Sequence, residues 1–417
     1  MKILLIAENV FFSKDANGNC VWNIAKELQR TGNEIHILSA AVTPNELRKT
    51  CMNGVFCHWY YAPWKYPMKE IRHEVLKKPF LSLFRILAKL YSKYCLSRRD
   101  KETFVKWREL LFWRRSIRKT LYKQNFDKVI ICFYPIEPVL AYTTLQNNIV
   151  NIPTFWVYQL DAYVDNQGYA VMGRDARVKF VQTTFGKAEG IFTTPLLVKT
   201  LQEILPDKNS CIIPLEFPLL VEHPYKDFHS PLLATDKICG VFAGTLYSDI
   251  RRPDFMLKLL NATSLDNLKL YLFVSNPLSS EQVNVWKALA ENIQVEFCKA
   301  IPFDEMITVI RQADFLINIG NKASNQLPSK IIDYISTGKP ILNIVQIEAC
   351  PTLQYLSRYK LSLSISTWEN FERAAERCRY FIESVVSEKA MPFTRIKTWF
   401  QELTPEFVTK TILQYIQ

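Results

Sequence analysis

Lys330 and Asp333 stand three residues apart in a run that reads Asn325-Gln326-Leu327-Pro328-Ser329-Lys330-Ile331-Ile332-Asp333-Tyr334-Ile335-Ser336-Thr337-Gly338-Lys339-Pro340. Proline is favoured at the first helical position, so the pattern predicts a helix that starts at Pro328 and stops at Gly338. Free N–H groups and a partial positive charge at such a helix start suit a diphosphate. Lys330 lies in the first turn and adds a full charge. Asp333 is one turn further on, and its carboxylate can accept two hydrogen bonds from a ribose diol. Taken singly, Lys330 is equally an ordinary solvated lysine, and Asp333 a carboxylate placed to suit the helix dipole.

A second basic site follows a strand end, in Val241-Phe242-Ala243-Gly244-Thr245-Leu246-Tyr247-Ser248-Asp249-Ile250-Arg251-Arg252. Gly244 would let backbone approach a ligand closely. Arg251 or Arg252 could grip a diphosphate with paired donors, and a surface arginine pair opening a helix is the alternative. Two carboxylates, Asp161 and Glu137, follow the ends of apolar strands, and either could take a proton from a hydroxyl.

Pro-Ser-Lys-x-x-Asp-Tyr-x-x-x-Gly-Lys-Pro resembles the donor-binding signature of GT-B glycosyltransferases, in particular the retaining group called glycosyltransferase family 4. That group commonly carries two glutamates eight positions apart. Here the second position is Asp333 and the first is Asn325, which is not acidic. The resemblance implies ribose binding at Asp333, contact near the sugar and phosphate at Asn325, and Lys330 as a replacement polar contact. It extends to Gly244, Thr245, Arg251 and Arg252 as a phosphate-binding loop. Many relatives place a basic residue where Thr245 stands. Ile301, in Val295–Phe303, falls where relatives read the base, and Gly18 falls in the place of a flexible glycine loop, with a tight turn as the alternative. In retaining enzymes of this kind the departing phosphate is thought to take the acceptor proton, so neither Asp161 nor Glu137 is demanded as a base. No cofactor and no metal ion are expected.

These residues need a scaffold of strand carboxyl ends. Lys2–Ala7, a helical pattern through Val21, Ile24, Ala25 and Leu28, and Ile35–Leu38 form a βαβ unit. Strands are expected at Val55–Tyr61, Lys128–Phe133, Thr154–Tyr158, Gly190–Thr193 and Cys211–Pro214. A second series follows at Ile238–Ala243, Lys269–Val274, Val295–Cys298, Phe315–Ile319 and Pro340–Val345. Residues 214–236 hold four prolines and read as a linker. The expectation is therefore α/β, with two Rossmann-like doubly wound domains facing across a cleft, the GT-B plan. They span 1–213, with a basic helical insertion at 64–123, and 237–392. Helices at 393–417 are expected to pack back on the first domain.

Of 417 residues, 48% are apolar and 13% aromatic, ample for two buried cores. The five apolar residues Ile3–Ala7 are too few for a signal peptide, and no long uncharged apolar stretch follows, so neither secretion nor membrane spanning is expected. The ten cysteines include no Cys-x-x-Cys pair and read as reduced thiols. Charge is lopsided: residues 64–123 hold 18 Lys and Arg against 5 Asp and Glu, while the rest of the chain nets −1. Two amphipathic stripes lie there, one at Phe80–Tyr94 and one through Leu110, Trp113, Ile117 and Leu121. Attraction to an anionic membrane is the favoured reading, against a merely solvated basic face; no nucleic-acid module accompanies the charge. The function expected is transfer of a sugar from a nucleoside-diphosphate donor to a hydroxyl of a lipid-linked or oligosaccharide acceptor, at the cytoplasmic face of a membrane. A nucleotide-sugar epimerase on the same fold, or a non-catalytic membrane or nucleic-acid binding protein, are the alternatives.

Overall fold

The computed structural model describes residues 1–8, 10, 16–41, 50–61, 107–133, 135–149, 151–166, 173–223, 233–234, 236–247, 250–386 and 390–417. It divides into two compact units, 1–218 with 405–417, and 219–404.

The first unit is built on β1 (Lys2–Ile6), β2 (Glu34–Ala41), β3 (Cys51–Met52), β4 (Val55–Tyr61), β5 (Lys128–Phe133), β6 (Phe155–Gln159), β7 (Gly190–Thr193) and β8 (Ile212–Pro214). They form one sheet in the order β3-β4-β2-β1-β5-β6-β7-β8. Every pairing is parallel except β3 with β4. That hairpin turns on Asn53-Gly54, both at positive φ (50° and 78°), which is the geometry a tight Asn-Gly turn requires. Parallel strands buried on both faces read as continuous apolar runs, and β1, β5 and β6 do.

Helices of this unit are α1 (Ala16–Arg30), α2 (Trp107–Lys123), α3 (Glu137–Gln146), α4 (Arg174–Phe185) and α5 (Pro195–Ile204), with the chain's last helix, Pro405–Ile416, packed on α1. In α2 the residues Leu110, Trp113 and Ile117 are buried in the main core with Phe133, Val139 and Phe155. Its buried stripe is therefore spent on the sheet, and what α2 leaves exposed is Arg115, Arg118, Lys119 and Lys123, together with Leu111 and Tyr122. The other expected stripe, Phe80–Tyr94, lies outside the described residues.

The second unit carries β9 (Ile238–Gly244), β10 (Leu268–Val274), β11 (Gln294–Lys299), β12 (Phe315–Ile319), β13 (Ile341–Val345) and β14 (Ser362–Ser366) in a parallel sheet ordered β11-β10-β9-β12-β13-β14. Strand β14 was not foreseen: Ser-Leu-Ser-Ile-Ser alternates and is only partly buried at the sheet edge. Around the sheet lie α6 (Asp254–Ala262), α7 (Ser280–Lys287), α8 (Phe303–Gln312), α9 (Lys330–Ser336), α10 (Leu353–Leu356), α11 (Phe371–Val385) and α12 (Phe393–Trp399); the closing helix Pro405–Ile416 is α13.

Two boundaries differ from the sequence reading. Helix α12 belongs to the second unit, where it packs on α9, and only α13 joins the first. The expected linker is partly core: Leu215, Phe217, Leu219 and Leu220 are buried. Leu215 N–H donates to Thr193 O, and Leu220 N–H to Leu403 O. Gly338 ends α9 at φ 73°, and a Cβ there would meet Met391 backbone, so only glycine suits both the turn and the close approach.

Candidate donor site

In the second sheet β9 comes first in the chain, β10 and β11 are added on one side, and β12 to β14 on the other. The order reverses between β9 and β12, and open α/β sheets bind ligands beyond the strand carboxyl ends at that reversal. The loops that leave these two strands, after Gly244 and after Ile319, carry Thr245, Arg251, Arg252 and Asn325, and the second runs into the helix that bears Lys330 and Asp333.

Arg251 joins the two loops. Its Nε and Nη2 donate to Asn321 Oδ1 at 3.0 and 2.5 Å, and its Nη1 donates to Thr245 O at 3.4 Å. Asn321 is buried, and its own amide donates to Gln326 O at 3.2 Å. Its partners Asn321 Oδ1 and Thr245 O are neutral, and among the described residues no carboxylate pairs with this guanidinium. Desolvation holds its pKa below the ordinary value, with Tyr247 and Tyr334 opposing. A partly desolvated cation with neutral partners retains its full attraction for an anion.

Helix α9 supplies the other charges. It begins at Lys330 rather than Pro328, because the preceding turn is tighter: Ile331 N–H donates to Pro328 O and Ile332 N–H to Ser329 O, each spanning three residues. Desolvation lowers the Lys330 pKa first, Asp333 opposes this, and the charge of Arg251 lowers it further. The ammonium therefore feels both charges, although Lys330 as a residue is exposed. Asp333 is part-buried, and desolvation pushes its pKa up to about 7 against the pull of Lys330. Tyr334 locks the helix to β9, its hydroxyl accepting from Ala243 N–H at 2.8 Å.

The remaining loop residues are positioned by side-chain amides. Asn276 Oδ1 accepts from Leu246 N–H at 3.0 Å and its Nδ2 donates to Leu246 O at 2.8 Å. Gln346 Nε2 donates to Ile250 O at 3.0 Å and also to Gly320 O. Sequence reasoning missed Asn321, Asn276 and Gln346. Each directly follows, or lies within two residues of, a buried strand's carboxyl end, and that was the available signal.

The other expected residues divide. Gly244 ends β9, and a Cβ on it would approach Phe242 at 2.9 Å and Arg251 Nη1 at 3.6 Å. The Thr245 and Ser275 hydroxyls are hydrogen-bonded at 2.7 Å. Arg252, by contrast, is exposed and engaged with Asp254 through Nε at 3.0 Å and Nη2 at 2.7 Å, so the two arginines are not interchangeable. Asn325 and Ile301 are both part-buried, in the loops after β12 and β11.

In the first unit, Gly18 sits in the first turn of α1 and is buried, not in a loop. Packing of Val21, Ile24 and Leu28 extends the helix back over a residue of poor helix propensity. Asp161 follows β6, and its Oδ2 accepts from Asn17 Nδ2 of α1 at 2.9 Å. Glu137 opens α3, after β5. Both carboxylates thus stand at carboxyl ends of the first sheet. Among the described residues no group of three His, Cys, Asp or Glu could hold a metal ion.

No family model and no curated protein matches the chain. Solved structures do. HepE from Anabaena, in complex with UDP and glucose, aligns with TM-score 0.58 at 10% identity, covering 99% of this chain and 98% of that one. UDP-GlcNAc 2-epimerase from Neisseria meningitidis, bound to UDP-GlcNAc, aligns with TM-score 0.55 at 9% identity over 100% and 99%. The lipopolysaccharide outer core galactosyltransferase WaaB gives 0.53 at 9% identity over 100% and 99%. The fold is GT-B. At these identities the likeness carries the architecture and nothing finer.

Proposed function

We propose that this GT-B chain transfers a sugar from a nucleoside-diphosphate donor to a hydroxyl of a saccharide or lipid-linked acceptor. One observation carries the reading: at the switch point between β9 and β12, Arg251 is held by the neutral Asn321 beside Lys330 and the desolvated Asp333. Two mutually repelling cations and one carboxylate short of donors match a diphosphate joined to a ribose diol. In this reading Arg251 and Lys330 meet the charge that grows on the departing diphosphate, and Asp333 accepts from the ribose hydroxyls. Asp161, oriented by Asn17, is assigned to the acceptor side. The side chains neutralise the leaving group without a metal ion; retention of configuration is included on the family resemblance alone.

A thermal-shift screen across nucleoside diphosphates and their sugars tests this. One base should stabilise the protein, since a ligand at a hundredfold its Kd contributes about 2.7 kcal/mol, and Lys330→Ala should weaken that shift by roughly tenfold in affinity. Flat curves for every nucleotide would sink the donor site. The fold likeness to an epimerase supports a second reading, in which the same donor is bound and no acceptor is needed. Product analysis separates the two, because transfer releases nucleoside diphosphate and epimerisation keeps the nucleotide sugar intact.

Among the described residues no helix is long and apolar enough to cross a membrane. We assign residues 64–123 to peripheral attachment at an anionic, cytoplasm-facing membrane through their net +13 charge. Each basic residue near such a surface contributes about 1 kcal/mol. Binding to phosphatidylglycerol vesicles should therefore fall steeply as salt shortens the Debye length below ~10 Å. Binding that ignores salt would remove this attachment from the proposal.

A further inference from the structure

The amino ends of β5 and β6 border a cavity of about 230 Å3 that no step of glycosyl transfer uses. Its polar lining is Arg118 and Tyr122 from α2, Gln124 and Asn125 from the turn into β5, and Asn151 from the turn into β6, over an apolar floor that includes Phe126. β5 and β6 run parallel, so this edge lies opposite the one bearing Asp161 and Glu137. Strands of five or six residues rise ~3.3 Å per residue, a separation of about 16–20 Å. It is a distinct site.

The lining specifies its ligand class. Three side-chain amides each offer an acceptor and two donors in one plane, and Arg118 adds a rigid fork of donors. Only one of the lining groups is charged, which is thin for a phosphate or an anionic headgroup. A purely apolar ligand would leave the amides unpaired. A sugar ring satisfies both halves, because its hydroxyls donate and accept in alternation while its C–H face lies on an aromatic ring. Tyr122 provides that ring. It is 67% exposed, and Arg118 Cζ stacks 5.3 Å from its centroid, holding it in place without covering the second face. The volume sits below the ~300–1,000 Å3 of sites for drug-sized ligands and suits one hexose. We propose that this cavity binds one hexose unit of an oligosaccharide chain, outside the catalytic centre. The proposal stands on the first unit alone and does not depend on the donor site.

The test uses the full chain on an immobilised panel of α- and β-linked hexose and N-acetylhexosamine oligosaccharides, at high salt to suppress charge attraction. Retention on at least one glycan is expected. Tyr122→Ala, a change at an exposed position, should weaken it roughly tenfold, and Tyr122→Phe should keep it within about twofold. Asp333→Ala should leave glycan retention unchanged while altering the nucleotide thermal shift. No retention on any glycan, equal loss with Ala and Phe, or loss with Asp333→Ala would each overturn the proposal. So would Tyr122-dependent capture by phosphatidylglycerol vesicles, or by inorganic phosphate, without glycan binding.

Discussion

Asp333→Asn should bind the nucleoside diphosphate about 10–100-fold more weakly and yet melt at a higher temperature at pH 8. Both effects come from one carboxylate. Hydrogen bonds to a charged group contribute about 1.5–3 kcal/mol, and an amide in its place offers the ribose diol a single neutral acceptor. The stability effect follows from burial, which pushes the Asp333 pKa up to about 7. An unfolded chain releases that proton near the ordinary value of 3.8, so between about pH 4 and 7 the folded state holds more protons than the unfolded state. Stability therefore falls as pH rises through this window, and the cost is fully present above it. Each pKa unit corresponds to about 1.4 kcal/mol, and with the partial exposure of the group a gain of about 1–3 kcal/mol is expected for the amide at pH 8. The gain should shrink towards zero near pH 4. In the parent protein, nucleotide affinity should rise between pH 6 and 8, as the carboxylate ionises. Melting curves and nucleotide titrations across pH check both halves. A variant that melts with the parent at pH 8 would remove the desolvated carboxylate from the account.

The same residue marks where sequence reasoning works and where it stops. Lys330 and Asp333 were visible because a short helix fixes what stands on it, and a three-residue spacing holds in any context. Alternating and continuous apolar runs likewise placed β1, β5, β9, β12 and β13 within a residue or two. Asn321 was invisible for the opposite reason. It and Arg251 are 70 positions apart and meet only because β9 and β12 are neighbours in the sheet, an adjacency that no local pattern encodes. Arg251 and Arg252 looked equivalent for the same reason, and tertiary partners separate them, Asn321 for one and Asp254 for the other. Gly18 was read as loop from the family resemblance, and packing of α1 overrode it. The stripe on α2 was correctly read as amphipathic. Its direction depended on the sheet beneath, where Trp113 and Ile117 are wholly buried.

Arg251 should be the most sensitive position for turnover. Removing one preorganised group that stabilises developing charge typically costs 10²–10³ in kcat, and Arg251→Ala should fall in that range with a smaller change in donor KM. The split is expected because charge on the diphosphate is greater in the transition state than in the bound donor, so an interaction that strengthens during reaction is lost. Arg251→Lys keeps the charge but cannot offer the fork that now spans Asn321 Oδ1 and Thr245 O, and should recover no more than about tenfold. Asn321→Ala leaves the arginine in place without its anchor and should cost about tenfold in kcat, with nucleoside-diphosphate affinity nearly unchanged. Arg252→Ala, which removes an exposed partner of Asp254, should cost less than about twofold. Release of nucleoside diphosphate from the donor chosen by the thermal-shift screen, followed with and without acceptor, measures all four. Equal losses at Arg251 and Arg252 would mean that the loop acts by bulk charge, and the assignment of Arg251 as the diphosphate clamp would fall.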